Sequence, residues 1–130
     1  MPPSIPMSYL VLAADDPERL AAFYGALLET APRPGFSPSH WRLLGPGERR
    51  LEIYAPSRRR PRPRGEGRLA LCFSRPADGA PPLQVLDDWL VTVVDLGAVP
   101  VEPPRLEPFG AEAWLADPED NRLLLLVSGG

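Results

Sequence analysis

The stretch LVLAADDPERLAAFYGALL, residues 10–28, decides the fold. Its first residues belong to a short apolar run, 8–13, which has strand character and would place alternate side chains on one face. Asp16 followed by Pro17 is typical of a helix start, because a carboxylate caps free amide groups and proline suits the first helical turn. Apolar residues then recur at helical spacing, at Leu20, Phe23, Tyr24, Leu27 and Leu28. The stretch therefore predicts a strand and an amphipathic helix that ends before Pro32.

Two further strands complete the first half of the chain, and the order of strand, helix and strands then recurs after a linker. Strands at 40–44 and 51–55 flank Gly45-Pro46-Gly47, which favours a hairpin turn. The segment 57–65, rich in arginine and proline, cannot continue a helix or a central strand and is interpreted as a linker. The predicted elements after it are a strand, a helix closed by Gly97 and three short strands, at 68–73, 83–96, 99–101, 111–115 and 122–127.

Composition narrows the class of protein. The chain has 130 residues, of which 44% are hydrophobic and 24% charged, a balance typical of one globular domain. The net charge of −3 argues against a nucleic-acid partner, and no apolar run approaches the roughly 18 residues of a membrane span. The amino terminus lacks the pattern of a signal peptide, and a lone cysteine, Cys72, excludes an internal disulfide and a cysteine-built zinc site. We therefore expect a cytoplasmic protein with no nucleic-acid or membrane partner.

Three features together resemble the vicinal oxygen chelate superfamily, which includes glyoxalase I, extradiol dioxygenases and bleomycin-resistance proteins. The first is the opening stretch described above, and the second is Gly97-Ala98 at the close of the second helix. The third is Pro108-Phe109-Gly110 followed by ADPEDNR, residues 116–122, which looks like the "DPDGN" turn of the superfamily. This chain has Asp120 where the superfamily usually has glycine.

The resemblance implies an α+β fold in which two βαβββ modules form a curved mixed sheet around a cleft, with the helices on the outer face. It covers nearly the whole chain, as one glyoxalase/bleomycin-resistance-like domain over residues 1–130. Module one would span about 7–57, the Arg/Pro linker about 58–66 and module two about 67–128.

The resemblance also implies four positions for the ligands of a divalent metal. They are occupied here by Tyr9, Glu52, Arg68 and Leu124. Glu52 alone is a good metal ligand, and Arg68 would place a fixed positive charge where the metal should lie. We therefore expect no metal and no other cofactor, and an ion pair between Glu52 and Arg68 across the cleft.

The predicted function is metal-independent binding of an aromatic or antibiotic-like small molecule by a homodimer, as in the drug-sequestering members of the superfamily. Arg68 and Glu52 would orient polar groups of the ligand, and flat rings would supply contact area. The predicted ligand-binding residues are Tyr9, Trp41, Glu52, Tyr54, Arg68, Trp114 and Leu124.

Other functions stay open from the sequence. One is a lyase, isomerase or dioxygenase with a relocated metal site built on Glu52, His40 and Glu112. A second is a metal-free enzyme with Glu52 as general base and Arg68 as oxyanion partner. A third is a structural or regulatory module without a ligand, in which Glu52 and Arg68 form a structural ion pair.

Several conspicuous residues also have purely structural interpretations. Core packing is expected for Trp89 and is as good an explanation as ligand binding for Trp41 and Trp114. His40 is expected to be an exposed strand residue, and Cys72, among apolar neighbours, a small buried one. The cluster Arg58–Arg64 is interpreted as a solvated linker, with an anion or nucleic-acid patch as the alternative.

Overall fold

A computed structural model describes residues 9–45, 49–56 and 69–129. The chain divides into two compact units, Met1–Arg64 and Gly65–Gly130, and each unit holds one helix and one mixed sheet. Two helices with a four-stranded and a five-stranded sheet confirm the predicted α+β class. The predicted linker, Arg68 and most of the predicted hairpin turn lie outside the described residues. No helix in the described part of the chain has the length and apolar character to span a membrane.

The first unit follows the predicted order of elements, with one short addition. Its elements are β1 (Tyr9–Ala13), α1 (Pro17–Leu28), β2 (Arg33–Pro34), β3 (His40–Leu44) and β4 (Arg50–Tyr54). The sheet order is β1-β4-β3-β2, with β1 parallel to β4 and the other pairs antiparallel. The two-residue strand β2 was not predicted, because a segment so rich in proline carries no strand pattern.

Helix α1 forms for the reasons that its sequence gives. The Asp16 carboxylate accepts a hydrogen bond from the backbone amide of Arg19 at 3.2 Å, which caps the helix, and Glu29 ends it in the left-handed conformation with φ 55°. Leu20 and Tyr24 are fully buried, and α1 packs against β3 and β4. One face of the first sheet is therefore core, and we call the opposite face, which does not carry α1, the distal face of the first sheet.

The second unit repeats this plan with more strands. Its elements are β5 (Leu71–Pro76), α2 (Pro82–Leu96), β6 (Val99–Pro100), β7 (Arg105–Glu107), β8 (Gly110–Ala116) and β9 (Arg122–Ser128). The sheet order is β5-β9-β8-β6, and β7 pairs with β8. Strand β5 spans Leu71–Pro76, so it lies three residues further along the chain than the predicted strand at 68–73. Strand β7 was not predicted.

The buried face of helix α2 forms one side of the core of the second unit. Leu86, Trp89 and Val93 form its buried stripe, and α2 packs against β8 and β9. The core position expected for Trp89 is confirmed, and the Arg75 guanidinium lies 4.0 Å from the centre of the indole ring. The run 91–94 has β-branched residues that favour a strand, but it is helical because burial of the stripe outweighs a weak local preference. We call the face of this sheet that does not carry α2 the distal face of the second sheet.

The turn between β8 and β9 is built around one buried carboxylate. Asp117 is 3% exposed, and its Oδ1 accepts hydrogen bonds from the backbone amides of Glu119 at 2.8 Å and Asn121 at 3.0 Å. The Asn121 side chain donates to Oδ2 at 2.8 Å. Within this turn Asp120 has φ 65°, the left-handed region that glycine adopts without steric cost. This backbone geometry explains why the superfamily usually has glycine at this position. In this chain the Asp120 carboxylate forms an ion pair with the Arg122 guanidinium at 2.7 Å.

A pair of substitutions at Asp120 tests this geometry. The free energy of unfolding should be about 1 kcal/mol higher for Asp120→Gly than for Asp120→Ala, because a Cβ in the left-handed region costs about that much. Chemical unfolding followed by circular dichroism measures the difference. An Asp120→Ala protein more stable than Asp120→Gly would show that the turn does not impose a left-handed residue at this position.

Candidate functional site

The distal face of the first sheet brings together polar and aromatic residues from all four of its strands. Alternation along each strand and the pairing register place together, on this face, Tyr9, Val11 and Ala13 of β1, Arg50, Glu52 and Tyr54 of β4, His40, Arg42 and Leu44 of β3, and Arg33 of β2. The face therefore carries three arginines and one carboxylate. Its charge is positive around Glu52, although the chain as a whole is acidic.

Glu52 is the centre of this arrangement. It is 8% exposed, and its Oε1 accepts a hydrogen bond from Nε of Arg42 at 3.0 Å. Nε of Arg50 lies 3.6 Å from the same oxygen. Arg42 is directly opposite Glu52 on β3, and Arg50 precedes it by two residues on β4, so both guanidinium groups come from the same face. The second oxygen, Oε2, is buried and accepts no hydrogen bond from the part of the chain that the structure describes.

His40 closes the other side of the carboxylate. Its Nδ1 accepts a hydrogen bond from the backbone amide of Phe36 at 3.0 Å, so the neutral imidazole carries its proton on Nε2. Nε2 lies 3.6 Å from Oε2 of Glu52, longer than a hydrogen bond. The side chain is 12% exposed, which makes the expectation of an exposed strand residue wrong. Register explains the burial, because His40 is two residues from Arg42 and shares its face.

Two further predicted site residues, Tyr9 and Tyr54, share this face with Glu52. Tyr9 covers Arg50, whose guanidinium carbon is 3.7 Å from the centre of the phenol ring, a cation–π geometry. Tyr54 follows Glu52 on β4 and pairs with His40. Trp41 lies on the opposite face of the sheet, because it pairs with the buried Ile53.

Two further predicted residues lie on the distal face of the second sheet. Trp114 and Leu124 are direct cross-strand partners on β8 and β9, and Cys72 of β5 pairs with Leu124 on its other side. Glu112, two residues before Trp114, accepts a hydrogen bond from Arg105 at 3.0 Å. That Trp114 and Leu124 line one site with Glu52 stays a prediction, as does the role of Arg68.

Cys72 is exposed, so the expectation of a small buried residue was wrong. The alternation of β5 is the reason, since Leu71 and Phe73 pair with the buried Leu123 and Leu125 and Cys72 points to the opposite face. Partial desolvation by the sheet, and then the negative charge of Glu112, raise the pKa of the thiol. Cys72 is therefore less reactive than an ordinary surface cysteine at neutral pH.

The residues at the superfamily's metal-ligand positions do not fit a divalent ion. Two guanidinium groups already neutralise Glu52 and would repel a cation, Tyr9 is stacked on one of them, and Leu124 has no donor atom. Among the described residues no three His, Cys, Asp or Glu side chains are grouped as metal ligands. This includes the relocated set of Glu52, His40 and Glu112, in which Nδ1 of His40 already accepts from an amide.

Sequence reasoning missed Arg42 and Arg50 as the partners of Glu52. The signal was present in the predicted hairpin, because closing the turn between residues 45 and 49 pairs residue 42 with residue 52. The sequence 50–52, Arg-Leu-Glu, then places Arg50 on the same face by simple alternation. The resemblance directed attention instead to Arg68, at a superfamily position further along the chain.

The comparison with known families agrees with this architecture. The chain belongs to the vicinal oxygen chelate superfamily. Within it, residues 9–126 match the glyoxalase-like domain family, of which this chain is a member. No curated protein matches the sequence significantly.

Solved structures show the same fold at low sequence identity. A glyoxalase/bleomycin resistance protein from Albidiferax ferrireducens T118 is 22% identical, with a TM-score of 0.70 over 93% of this chain and 97% of that one. A glyoxalase/bleomycin resistance protein/dioxygenase family enzyme from Burkholderia phytofirmans PsJN is 18% identical, with a TM-score of 0.74 over 93% and 97%. The fosfomycin resistance protein FosX from Mesorhizobium loti is 15% identical, with a TM-score of 0.66 over 95% and 92%.

The ion-pair cluster has a measurable contribution to stability. Glu52→Gln keeps an acceptor for Arg42 but removes the charge between two guanidinium groups, and should lower the free energy of unfolding by about 1–3 kcal/mol. Urea unfolding measures this. The matched control is Glu112→Gln, because the Arg105 partner is half exposed and also contacts Glu102, so the cost should stay within about 1 kcal/mol. Equal effects of the two substitutions would contradict a special role for Glu52.

The thiol of Cys72 should titrate above the pKa of an ordinary cysteine, as followed by the ultraviolet absorbance of the thiolate. Glu112→Gln should lower the pKa only part of the way, because desolvation is the larger cause and is unchanged. At a pH just below the ordinary cysteine pKa, alkylation should accordingly be faster in this variant than in the parent protein. Glu107→Gln, on the neighbouring strand β7, serves as the control and should leave the rate unchanged. A rate unaffected by Glu112→Gln would contradict the electrostatic contribution.

Proposed function

We propose that this protein binds an aromatic or antibiotic-like small molecule without a metal, at the distal face of the first sheet. One observation carries the proposal: the carboxylate at a superfamily metal-ligand position is held by the guanidinium groups of Arg42 and Arg50. A metal in this fold supplies positive charge to substrate oxygens as a Lewis acid. Fixed arginines supply positive charge for binding but no open coordination position for chemistry.

The aromatic character of the ligand is supported by the rings beside this charge. Tyr9 is 42% exposed, and Tyr54 is half-buried next to Glu52. Flat rings beside a few polar groups suit a flat organic molecule, because they offer contact area at a small cost in side-chain entropy. The structural neighbours include proteins named for resistance to bleomycin and fosfomycin, which supports a drug-like molecule as the ligand.

A metal-free enzyme is the second candidate function, and one observation favours it. Among the described residues Oε2 of Glu52 finds no hydrogen-bond donor, and a general base needs such an oxygen for the substrate proton. Binding without chemistry is the better proposal, because the same oxygen is buried. A base must reach the proton that it removes.

Two parts of the proposal rest on the resemblance. One is that Arg68 helps to orient polar groups of the ligand. The other is that the protein acts as a homodimer.

Thermal shift measurements on EDTA-treated protein test the proposal with a panel of neutral, acidic and basic aromatic compounds. At least one class should stabilise the protein, by about 2.7 kcal/mol at about a hundredfold excess over Kd, and added nickel or zinc should not change the shift. Tyr54→Leu should reduce the shift because it removes a ring from the distal face.

Trp41→Phe is the matched control for Tyr54→Leu. It also alters an aromatic residue of the first sheet, but on the helix-bearing face, and within residues 9–45, 49–56 and 69–129 the indole Nε1 has no hydrogen-bond partner to lose. The ligand-induced shift should therefore be unchanged. A panel without any stabilising compound, or a shift that appears only with added metal, would contradict metal-independent binding.

A further inference from the structure

His40 makes three hydrogen bonds to the loop before β3, residues 35–39. The amide of Gly35 donates to the carbonyl of His40 at 2.7 Å, and the amide of His40 donates to the carbonyl of Ser37 at 3.1 Å. The amide of Phe36 donates to Nδ1 of the same imidazole at 3.0 Å. Backbone and side chain of His40 thus hold this loop against the end of β3.

Gly35 is required by the space that this arrangement leaves. A Cβ at this position would lie 2.4 Å from Nδ1 of His40, so any side chain would displace the imidazole. With the imidazole displaced, the hydrogen bond to the Phe36 amide would be lost. Gly35 and His40 together therefore determine where Phe36 lies.

This loop presents the Phe36 ring to solvent in a fixed place. The ring is 86% exposed, although an apolar ring gains nothing from exposure to water. The guanidinium carbon of Arg42 lies 4.6 Å from its centre, and the imidazole ring of His40 lies 5.5 Å away at an angle of 34°. The ring is thus supported by two neighbours, while most of its surface stays available.

The charge beside the ring favours an anion. Arg33 of β2 is the direct cross-strand partner of Arg42, and like charges in that position repel each other. Arg33 is exposed, and the carboxylate that neutralises Arg42 is shared with Arg50. An anion bound between Arg33 and Arg42 would relieve this repulsion beside an exposed aromatic ring.

We propose that Phe36, Arg33 and Arg42 form the specificity site for an aromatic carboxylic acid. The ligand ring stacks on Phe36, and its carboxylate pairs with the two arginines. Guanidinium groups match a carboxylate in charge and in planar geometry. The proposal rests on the proposed function and narrows it, from aromatic molecules in general to aromatic acids.

Calorimetric titration of EDTA-treated protein with 2-naphthoate tests this site. Parent protein should bind 2-naphthoate more tightly than 2-naphthamide, which has the same ring without the charge, and more tightly than cyclohexanecarboxylate, which has the charge without the ring. Phe36→Leu should weaken 2-naphthoate binding about threefold to tenfold, the usual worth of an aromatic pair. Arg33→Gln should weaken the acid and leave the amide unchanged.

Phe109→Leu is the matched control for the loss of a ring. Phe109 is also an exposed phenylalanine, but it lies in the second unit between β7 and β8, so its variant should bind 2-naphthoate as the parent does. Sedimentation should show the same oligomeric state for Phe36→Leu and parent. A change of state would overturn the proposal and assign Phe36 to a contact between copies of the chain.

The two proposals fail in different ways. Stabilisation by neutral aromatic compounds without binding of 2-naphthoate would overturn the aromatic-acid site and leave metal-independent binding intact. If 2-naphthoate binds tightly and Phe36→Leu does not weaken that binding, the proposed site at Phe36 is wrong, and metal-independent binding of aromatic molecules is unaffected. Absence of binding by every class of compound would overturn both.

Discussion

The pairing of the Glu52 carboxylate with Arg42 and Arg50 is the interaction on which the distal face of the first sheet depends. A carboxylate buried to this extent is unfavourable unless it is paired. The hairpin register supplies one guanidinium from the opposite strand, and alternation along β4 supplies the other. Each arginine then supports an aromatic ring, Arg50 that of Tyr9 and Arg42 that of Phe36. The charge and the rings of this face therefore form one connected structure.

Under the proposed function, this arrangement lets a glyoxalase-like fold keep its architecture while metal-free binding replaces metal chemistry. The architecture depends on the helix-bearing faces of the sheets, where Leu20, Tyr24, Leu86 and Val93 are fully buried. The distal faces contribute little to that core, so their residues can change without loss of the fold. In the first unit, two guanidinium groups lie beside Oε1 of the carboxylate at the position that the superfamily uses for a metal ligand.

The long amphipathic elements could be predicted from sequence, and the exceptions have physical reasons. Helix α1 follows from its cap and its apolar spacing, and α2 from its buried stripe, against the strand preference of 91–94. Strands β2 and β7 have two and three residues, too few to show a period. The faces were harder to assign, as Trp41 and Cys72 show, because a shift of one residue in alternation moves a side chain to the other side of the sheet.

In the proposed function, arginines take the place of a metal. Elemental mass spectrometry of untagged protein tests it most directly, before and after incubation with nickel, zinc, manganese and iron(II) and removal of unbound ions. The account predicts no metal in stoichiometric amount under any of these conditions, together with unchanged binding of aromatic ligands. Metal in an equimolar amount with the chain would contradict it.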